Sequence, residues 1–585
     1  MAKRSQRTDG FSLIEIIIAI AIFLIIGSGV YLSYANILDV ISRTRTHTLA
    51  TSLINKQIEA IRNLPYDSVG VVGGAPSGVI PASTTVVYEG QQFVINTFVR
   101  NVDDAFDGET GGSPNDTAPA DYRLVELQID CPTCFNFVPV VFSTWVSPQN
   151  LETSTQNGSL FVNVFDANGF PISNANVLVK NTAVSPTITI NDSTNSSGTL
   201  QLVDIATSTN AYQITVSKSG YTTRQTYTPG DSSNPNPVQP HATVASQQIT
   251  GISFAIDRTS TINVGTRDQY CAAVPSIDMT QNGQKLIGTG PNTLLYSRSF
   301  TTDSSGDSAR TGLEWDTYSF TGTDTGYDIA GSIPLVPVEI DANTTLSLSY
   351  LVEPKTTNSL LTTIATLSGA PVASATVNLT KTGFDQSKLT GLKAFEFTDW
   401  SGAQYAGQDG NLDDSSPSGE LHLIATEGVY PTGTNSFLES NTIDFGTATT
   451  TFTDLSWAPV SQPGGTTLKF QLASANSSGG PWSYVGPDGT GGTYYTATST
   501  IGTTHDDRQY LRYKAYFNTT DSSVTPKLQE ISIGFYSGCV PSGQAFWPGL
   551  STGTYLVTAS KSGYTNATTS VTVGSGWQEV KLIMQ

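Results

Sequence analysis

The chain has 585 residues, a formal net charge of -20 and only 13% charged residues, with 53 Gly and 29 Pro. An acidic chain without clustered Lys and Arg lacks the footprint of a phosphate-backbone binder, which excludes direct nucleic-acid recognition. The length suggests about four domains, and the abundance of Thr and Ser in short alternating runs favours exported β-sandwiches.

The N-terminus carries Lys3, Arg4 and Arg7 and reaches Gly10; Phe11, Ser12, Leu13, Ile14 and Glu15 follow, and the chain then runs apolar to Ala35. A secretory signal peptide has its small-residue cleavage site after the apolar core, whereas Gly10 lies before it. Processing there leaves the apolar stretch in the mature protein. Roughly 20 apolar residues span a bilayer as a helix, and Glu15 is the one Asp, Glu, Lys, Arg or His between Phe11 and Ala35. A carboxylate near bilayer depth costs about 3 kcal/mol, so it calls for a partner, and the freed α-amine of Phe11 on a neighbouring subunit is available. The string Gly10-Phe11-x-x-x-Glu15 resembles the type IV pilin and pseudopilin family, whose prepilin peptidase cuts after a glycine and methylates the new N-terminal Phe, leaving a glutamate at mature position five. The resemblance implies a leader over residues 1–10, cleavage after Gly10, N-methylation of Phe11, and assembly with other pilin subunits through Glu15 and Phe11.

The positive-inside bias places Lys3, Arg4 and Arg7 in the cytoplasm, so the precursor sits in the cytoplasmic membrane and everything beyond the helix is exported. Apolar residues continue at helical spacing through Ile37, Leu38, Ile41, Ala50, Leu53, Ile54, Ile58, Ile61 and Leu64 until Pro65. The helix is therefore predicted over 11–64, with its membrane half over 11–35. Residues 65–150 read as a pilin-type head, with antiparallel strands at 84–88, 93–102, 122–129 and 138–145. Asp103, Asp104, Asp107, Glu109, Asp116 and Asp121 lie in its long loop, which reads as a solvated acidic loop or a calcium site.

Internal repeats organise the rest. Tyr212-x-x-Thr215-x-Ser217-Lys218-Ser219-Gly220-Tyr221 recurs as Tyr555-x-x-Thr558-x-Ser560-Lys561-Ser562-Gly563-Tyr564, and Tyr318, Thr321, Gly326 and Tyr327 give a weaker copy. Upstream, Gly169-x-Pro171-Ile172-x-x-Ala175-x-Val177 matches Gly369-x-Pro371-Val372-x-x-Ala375-x-Val377. These strings resemble carboxypeptidase-regulatory-like domains, small sandwiches used as spacers and adhesive modules. They imply one sandwich at 158–260, a second at 266–354 and a third split into 359–389 and 539–585. Gly306 and Gly543 stand at matching distances from the glycine-leucine pairs Gly312-Leu313 and Gly549-Leu550, which makes residues 390–538 an inserted domain. Strands are expected there at 468–472, 494–499, 510–517 and 528–535, a pattern similar to a jelly roll. The fold class is thus an α+β pilin module followed by all-β sandwiches. Lys–Asn isopeptide staples need a nearby glutamate, and none occurs between Glu152 and Glu314, which disfavours such a staple in the first sandwich.

The four cysteines fall on the exported side, where disulfides persist. Four cysteines allow three connectivities; the favoured one joins Cys131 to Cys134 as a hairpin staple and Cys271 to Cys539 as a lock between domains. Asp409, Asn411 and Asp413 alternate as in a calcium loop and offer a structural Ca²⁺ site, although Asp414 replaces the expected glycine and no Glu ligand follows at the right offset; adjacent acids in a Gly-Ser loop are the favoured explanation. Trp457, Trp482, Tyr484, Tyr494 and Tyr495 offer rings for stacking on sugars; most are expected in the core, with Trp482 and Tyr484 in turn-forming sequence as the exposed pair and a site for a glycan ligand.

His47, His241, His422 and His505 fall in unrelated segments, and no nucleophile, phosphate-loop or metalloprotease string occurs; the chain is read as a non-enzyme. The function expected is that of a large minor pilin-like subunit carrying sandwiches for adhesion outside the cell. A pseudopilin of a secretion or DNA-uptake machine and a membrane-anchored carbohydrate-active protein are the alternatives.

Overall fold

The computed structural model describes residues 13–134, 136–149, 155–402 and 404–585, with the side chains of Glu15, Ile16, Ala19 and Ala35 outside the description. Gly10 and Phe11 lie outside the described residues. The chain forms two compact units, 1–257 with 287–293 and 258–286 with 294–585.

In the first unit a single helix runs from Leu13 to Arg62 over 50 residues, a length of about 75 Å at the standard rise. Its first part leaves Leu13, Phe23, Ile25, Tyr31, Leu38 and Ile41 exposed, whereas Ala50, Leu53, Ile54 and Ile61 are buried against Val69, Phe93, Val125 and Leu127. The helix gives out just before Pro65, which has no N–H to continue it. The surface against which it packs is an antiparallel sheet of Ser83–Tyr88, Gln91–Val102, Tyr122–Asp130 and Val140–Val146 in sequential order. Along Gln91–Val102 buried and half-buried residues alternate from Phe93 onwards, the period-two signature of a sheet with one face on the core.

A sandwich follows. Its short sheet has Gly158–Phe165 in the middle, with Ile249–Ala255 parallel on one side and Thr199–Ile205 antiparallel on the other. The opposing sheet pairs Asn176–Asn181 with Ile188–Ser193 and Ser208–Ser217. Leu160, Val162, Val177, Leu200, Tyr212, Ile214 and Phe254 fill the space between.

The second unit uses the same plan twice. Ser260–Arg267 lies between Asp307–Leu313 and, in parallel, Thr345–Pro354. Asn358–Thr366 lies between Gln544–Trp547 and, in parallel, Gly576–Met584. Thr376–Lys381 pairs antiparallel with Gly553–Ser560, so Val377, Leu379, Tyr555 and Val557 share one core. The intervening residues 393–536 pair among themselves in three sheets around a separate core that includes Trp400, Trp457, Phe470, Tyr513 and Phe535. Within that segment no strand forms over the expected 494–499: Tyr495 makes one bridge to Phe470, and only Ser499–Thr500 pairs further, with Asp454 and Leu455. Glycines at 479, 480, 486, 489, 491 and 492 keep the preceding chain turning, so a ladder never extends.

Three small devices recur in the sandwiches. The repeat tyrosines donate their hydroxyls back to the chain just before them, Tyr212 to the Ala206 carbonyl at 2.5 Å, Tyr318 to Glu314 at 2.9 Å and Tyr555 to Ser551 at 2.8 Å. Buried threonines clamp the turn that feeds the second sheet: Thr194 Oγ1 donates to the Ile172 carbonyl and accepts from the Ala175 N–H, as Thr390 Oγ1 does with Val372 and Ala375. Gly198, Gly306 and Gly543 adopt φ of +72°, +70° and +75°, and their carbonyls accept from the N–H of Val164, Thr266 and Ile364 on the first strand of each sandwich.

A Cβ on Gly543 would stand 2.6 Å from Pro371 Cβ and 2.8 Å from the Ile364 carbonyl. Left-handed backbone and overpacking both penalise a side chain there, so Gly543→Ala should destabilise the second unit by about 2–4 kcal/mol. Hydrogen exchange of the full chain should report the loss as faster exchange in 358–389 and 544–584, with the helix unaffected.

Candidate functional site

The helix offers the first candidate. From Leu13 to Ile41 the described apolar side chains are exposed, interrupted by Ser28 and Ser33, whose hydroxyls bond back to the Ile25 and Gly29 carbonyls. Hydroxyls satisfied in this way are compatible with an apolar surround. After Glu15 the next charged residue of the helix is Asp39, which pairs with Arg43 one turn on at 2.5 Å. The helix backbone includes Glu15.

The head holds the acidic loop. Asp103 accepts from the Thr110 N–H and hydroxyl at 2.8 Å each, Asp104 accepts from Tyr122 at 3.3 Å, and the Asp104 N–H donates to Asp121. Burial raises the Asp121 carboxyl to about 6, and the charges of Asp107, Asp116 and Asp103 add to it. Asp103 is raised for the same first reason. Cys131 and Cys134 are disulfide-bonded at the end of strand Tyr122–Asp130, with Cα atoms 5.3 Å apart.

In the second unit Cys271 and Cys539 form a disulfide with Cα atoms 5.4 Å apart. Cys271 has φ +64° and closes the turn begun by Asp268, as Gly169 closes the turn at Asp166 and Gly369 the turn at Thr366. A cysteine thus stands in a left-handed site where the other two sandwiches have glycine. Its neighbour Tyr270 enters the core of 393–536, stacked on Phe535 at 5.9 Å and edge-on to Phe445 at 6.2 Å. Gly446 makes room: a Cβ there would lie 1.9 Å from the Tyr270 carbonyl. An ion pair between Lys393 and Glu353 lies beside this joint, in a cleft of about 930 Å³.

The sequence-selected loop residues have local duties. Asp409 accepts from the Asn411 N–H and side-chain amide, and Asp413 accepts from Ser415 and Ser416, which holds its carboxyl below the usual range. Trp457 and Tyr495 are core residues. Trp482, Tyr484 and Tyr494 are half-buried rather than open, because the loop carrying them folds over the outer face of a sheet.

That face is built by strand alternation. In Tyr510–Thr519 every second residue is buried, which turns Arg512, Lys514 and Tyr516 outward. Register places Lys469 beside Tyr516, and Gln471 and Glu439 on either side of Lys514. Arg512 pairs with Glu439 at 2.9 Å and lies 4.7 Å from the Trp482 ring centre. Lys469 Nζ is 3.7 Å from the Tyr494 ring centre, and Lys514 Nζ is 3.9 Å from that of Phe437 and 5.4 Å from that of Tyr484. Burial pushes the Tyr484 hydroxyl far above the phenol range, and the adjacent Glu439 adds to the shift. Reading the sequence for aromatics alone missed the cations, although the spacing Arg512-x-Lys514-x-Tyr516 on a strand signals a shared face.

Comparisons with known proteins add one motif and several distant likenesses. A family profile described as the prokaryotic N-terminal methylation motif matches residues 6–31. No match was found among curated proteins. Among solved structures, a Bacillus anthracis TIE protein aligns at 12% identity over 53% of this chain and 51% of its own, with a TM-score of 0.16. A streptococcal ancillary pilin aligns at 12% identity over 39% and 75%, with a TM-score of 0.19. The minor pilin GBS52 of Streptococcus agalactiae aligns at 11% identity over 34% and 96%, with a TM-score of 0.18. The chain spans about half the length of the first of these.

The acidic loop sets a pH dependence. A carboxyl whose pKa is raised on folding binds more protons in the native than in the unfolded state between the two pKa values, so stability falls as pH rises through that window. For Asp121 the window runs from 3.8 to about 6. Protection of the amides in 103–121, measured relative to the intrinsic exchange rate at each pH, should therefore rise on acidification from pH 7 to pH 5, and Asp121→Asn should flatten that rise.

Proposed function

We propose that the chain is a filament subunit of the type IV pilin kind, made as a membrane precursor with its N-terminus in the cytoplasm and assembled with other pilins outside it. The observation that carries this reading is the methylation motif at 6–31 leading into a 50-residue helix whose first half is apolar and exposed. Such a half-helix needs lipid before assembly and other helices after it, since about 20 apolar residues match the bilayer core. Prepilin peptidase would cut after Gly10 and methylate Phe11, and Glu15 would pair with the Phe11 amine of a neighbour. The sandwiches make this a large subunit, which suits a minor place in the filament and an adhesive role. A bulk subunit repeats closely along a fibre, where several extra domains per copy would crowd.

Mass spectrometry of the mature N-terminus should find N-methyl-Phe11, and Gly10→Val should leave an unprocessed precursor in the membrane. Glu15→Ala makes the helix more apolar, so insertion should persist while recovery in sheared filaments drops several-fold. A mature protein beginning at Met1, or wild-type filament levels of the Glu15→Ala variant, would overturn the reading.

We also infer that residues 390–538 are a domain inserted into the third sandwich, of jelly-roll kind. Gly543 does for the third sandwich what Gly198 does for the first, yet Gly198 follows the clamping Thr194 closely whereas about a domain's length of chain separates Thr390 from Gly543. Closing a short surface loop costs little. Replacing 390–538 by a Gly/Ser linker, with Cys271 and Cys539 changed to Ser, should leave Asn358–Thr366 as protected from exchange as in the full chain. Loss of that protection would refute the insertion.

A further inference from the structure

We propose that the outer sheet face under Trp482, Tyr484 and Tyr494 binds an acidic saccharide, with Lys469 and Lys514 receiving its anionic groups and the rings receiving its sugar faces. The inference deepens the adhesive part of the reading above and rests on the sandwiches being exported.

Charge is the first argument. Between residues 393 and 536 the chain has fifteen Asp and Glu and only six Lys and Arg, yet three of the six, Lys469, Arg512 and Lys514, are on this one face. A protein of net charge -20 has many carboxylates with which to neutralise them. Only Arg512 is so neutralised, by Glu439. Among the described residues the ammonium groups of Lys469 and Lys514 meet aromatic ring faces and form no ion pair, the carboxylate of Glu439 beside Lys514 being turned to Arg512. A ring quadrupole holds a cation without cancelling its charge, so the two remain available to an anion.

Shape is the second argument. Lys469 and Gln471 lie on one strand, opposite Tyr516 and Lys514 on the next, so the two lysines are diagonal neighbours about 7–8 Å apart at the backbone. Tyr494 stands edge-on to Tyr516 at 5.2 Å over Lys469, while Trp482 covers Arg512. Rings and cations therefore alternate along the face. Gln471 is already spent: its amide donates to the Gly491 and Thr493 carbonyls and its oxygen accepts from Tyr516, which fixes the covering loop. Amphipathic rings set at the edge of a fixed loop suit sugar faces, and charge-assisted hydrogen bonds suit the carboxylate or sulfate they carry. An acidic peptide would use the lysines but leave the rings idle.

The test uses the full chain purified in detergent, which needs no filament, so its outcome is independent of assembly. Binding is measured against immobilised polygalacturonate, dextran sulfate, neutral dextran and poly-glutamate. The expected result is saturable binding to polygalacturonate, dextran sulfate or both, their ratio separating carboxylate from sulfate recognition, with no binding to dextran. The double variant Lys469→Gln, Lys514→Gln should weaken that binding roughly tenfold or more while melting at the wild-type temperature, which serves as the folding reference, and Tyr494→Ala should weaken it as well. If neither acidic polysaccharide binds, if dextran binds as well as they do, if poly-glutamate binds as tightly, or if the folded lysine variant binds like wild type, the proposal is wrong.

Discussion

The second unit depends on a glycine with no room for a side chain. Gly543 accepts from Ile364 in the middle of the strand Asn358–Thr366 while standing against Pro371. Directly after it, Gln544–Trp547 pairs with that same strand. Gly198 and Gly306 hold the same relation to Val164 and Thr266. Because each such glycine locks the first strand to the strand that follows it, the parallel pairing of that first strand with the last becomes possible, and the sandwich closes.

Closure at Gly543 puts heavy demands on the few residues just before it. Cys539 joins Cys271, and Gly331 packs against Pro541 and Gln544. The Gln544 oxygen accepts from the Ser332 N–H, while its amide donates to Thr363. Trp577 donates to the Ile329 carbonyl at 2.6 Å. Tyr270 meanwhile plugs the core of 393–536. A disulfide that closes a loop of 268 residues removes more freedom from the unfolded chain than any short staple. The disulfide, these hydrogen bonds and Tyr270 tie two sandwiches and the segment 393–536 to one another within the second unit.

The two candidate functional regions are built by opposite means. The helix offers an apolar surface whose partners are other molecules, so its chemistry is written in composition. The face around Lys469 and Lys514 is made by register, because neighbours on it come from positions far apart along the chain. Its charge is local and runs against the sign of the whole protein, which composition averages away.

This difference also sorts what the sequence alone determined. The apolar helix and its end before Pro65 follow from residues within a few turns of one another, and so do the head strands, whose alternation has a period of two. The repeated tyrosines and glycines were visible because each repeats the same local turn and the same backward hydrogen bond. Tertiary structure decided what no local rule reaches: that Cys271 occupies a glycine's left-handed place, that Tyr270 leaves its own sandwich for a neighbouring core, and that residues 494–499 form no strand. It also brought Lys469, Lys514 and Tyr494 together. The physical reason is that a turn or a helix is fixed by neighbours in sequence, whereas a shared face or a filled core is fixed by strand register, and register is settled only when distant strands pair.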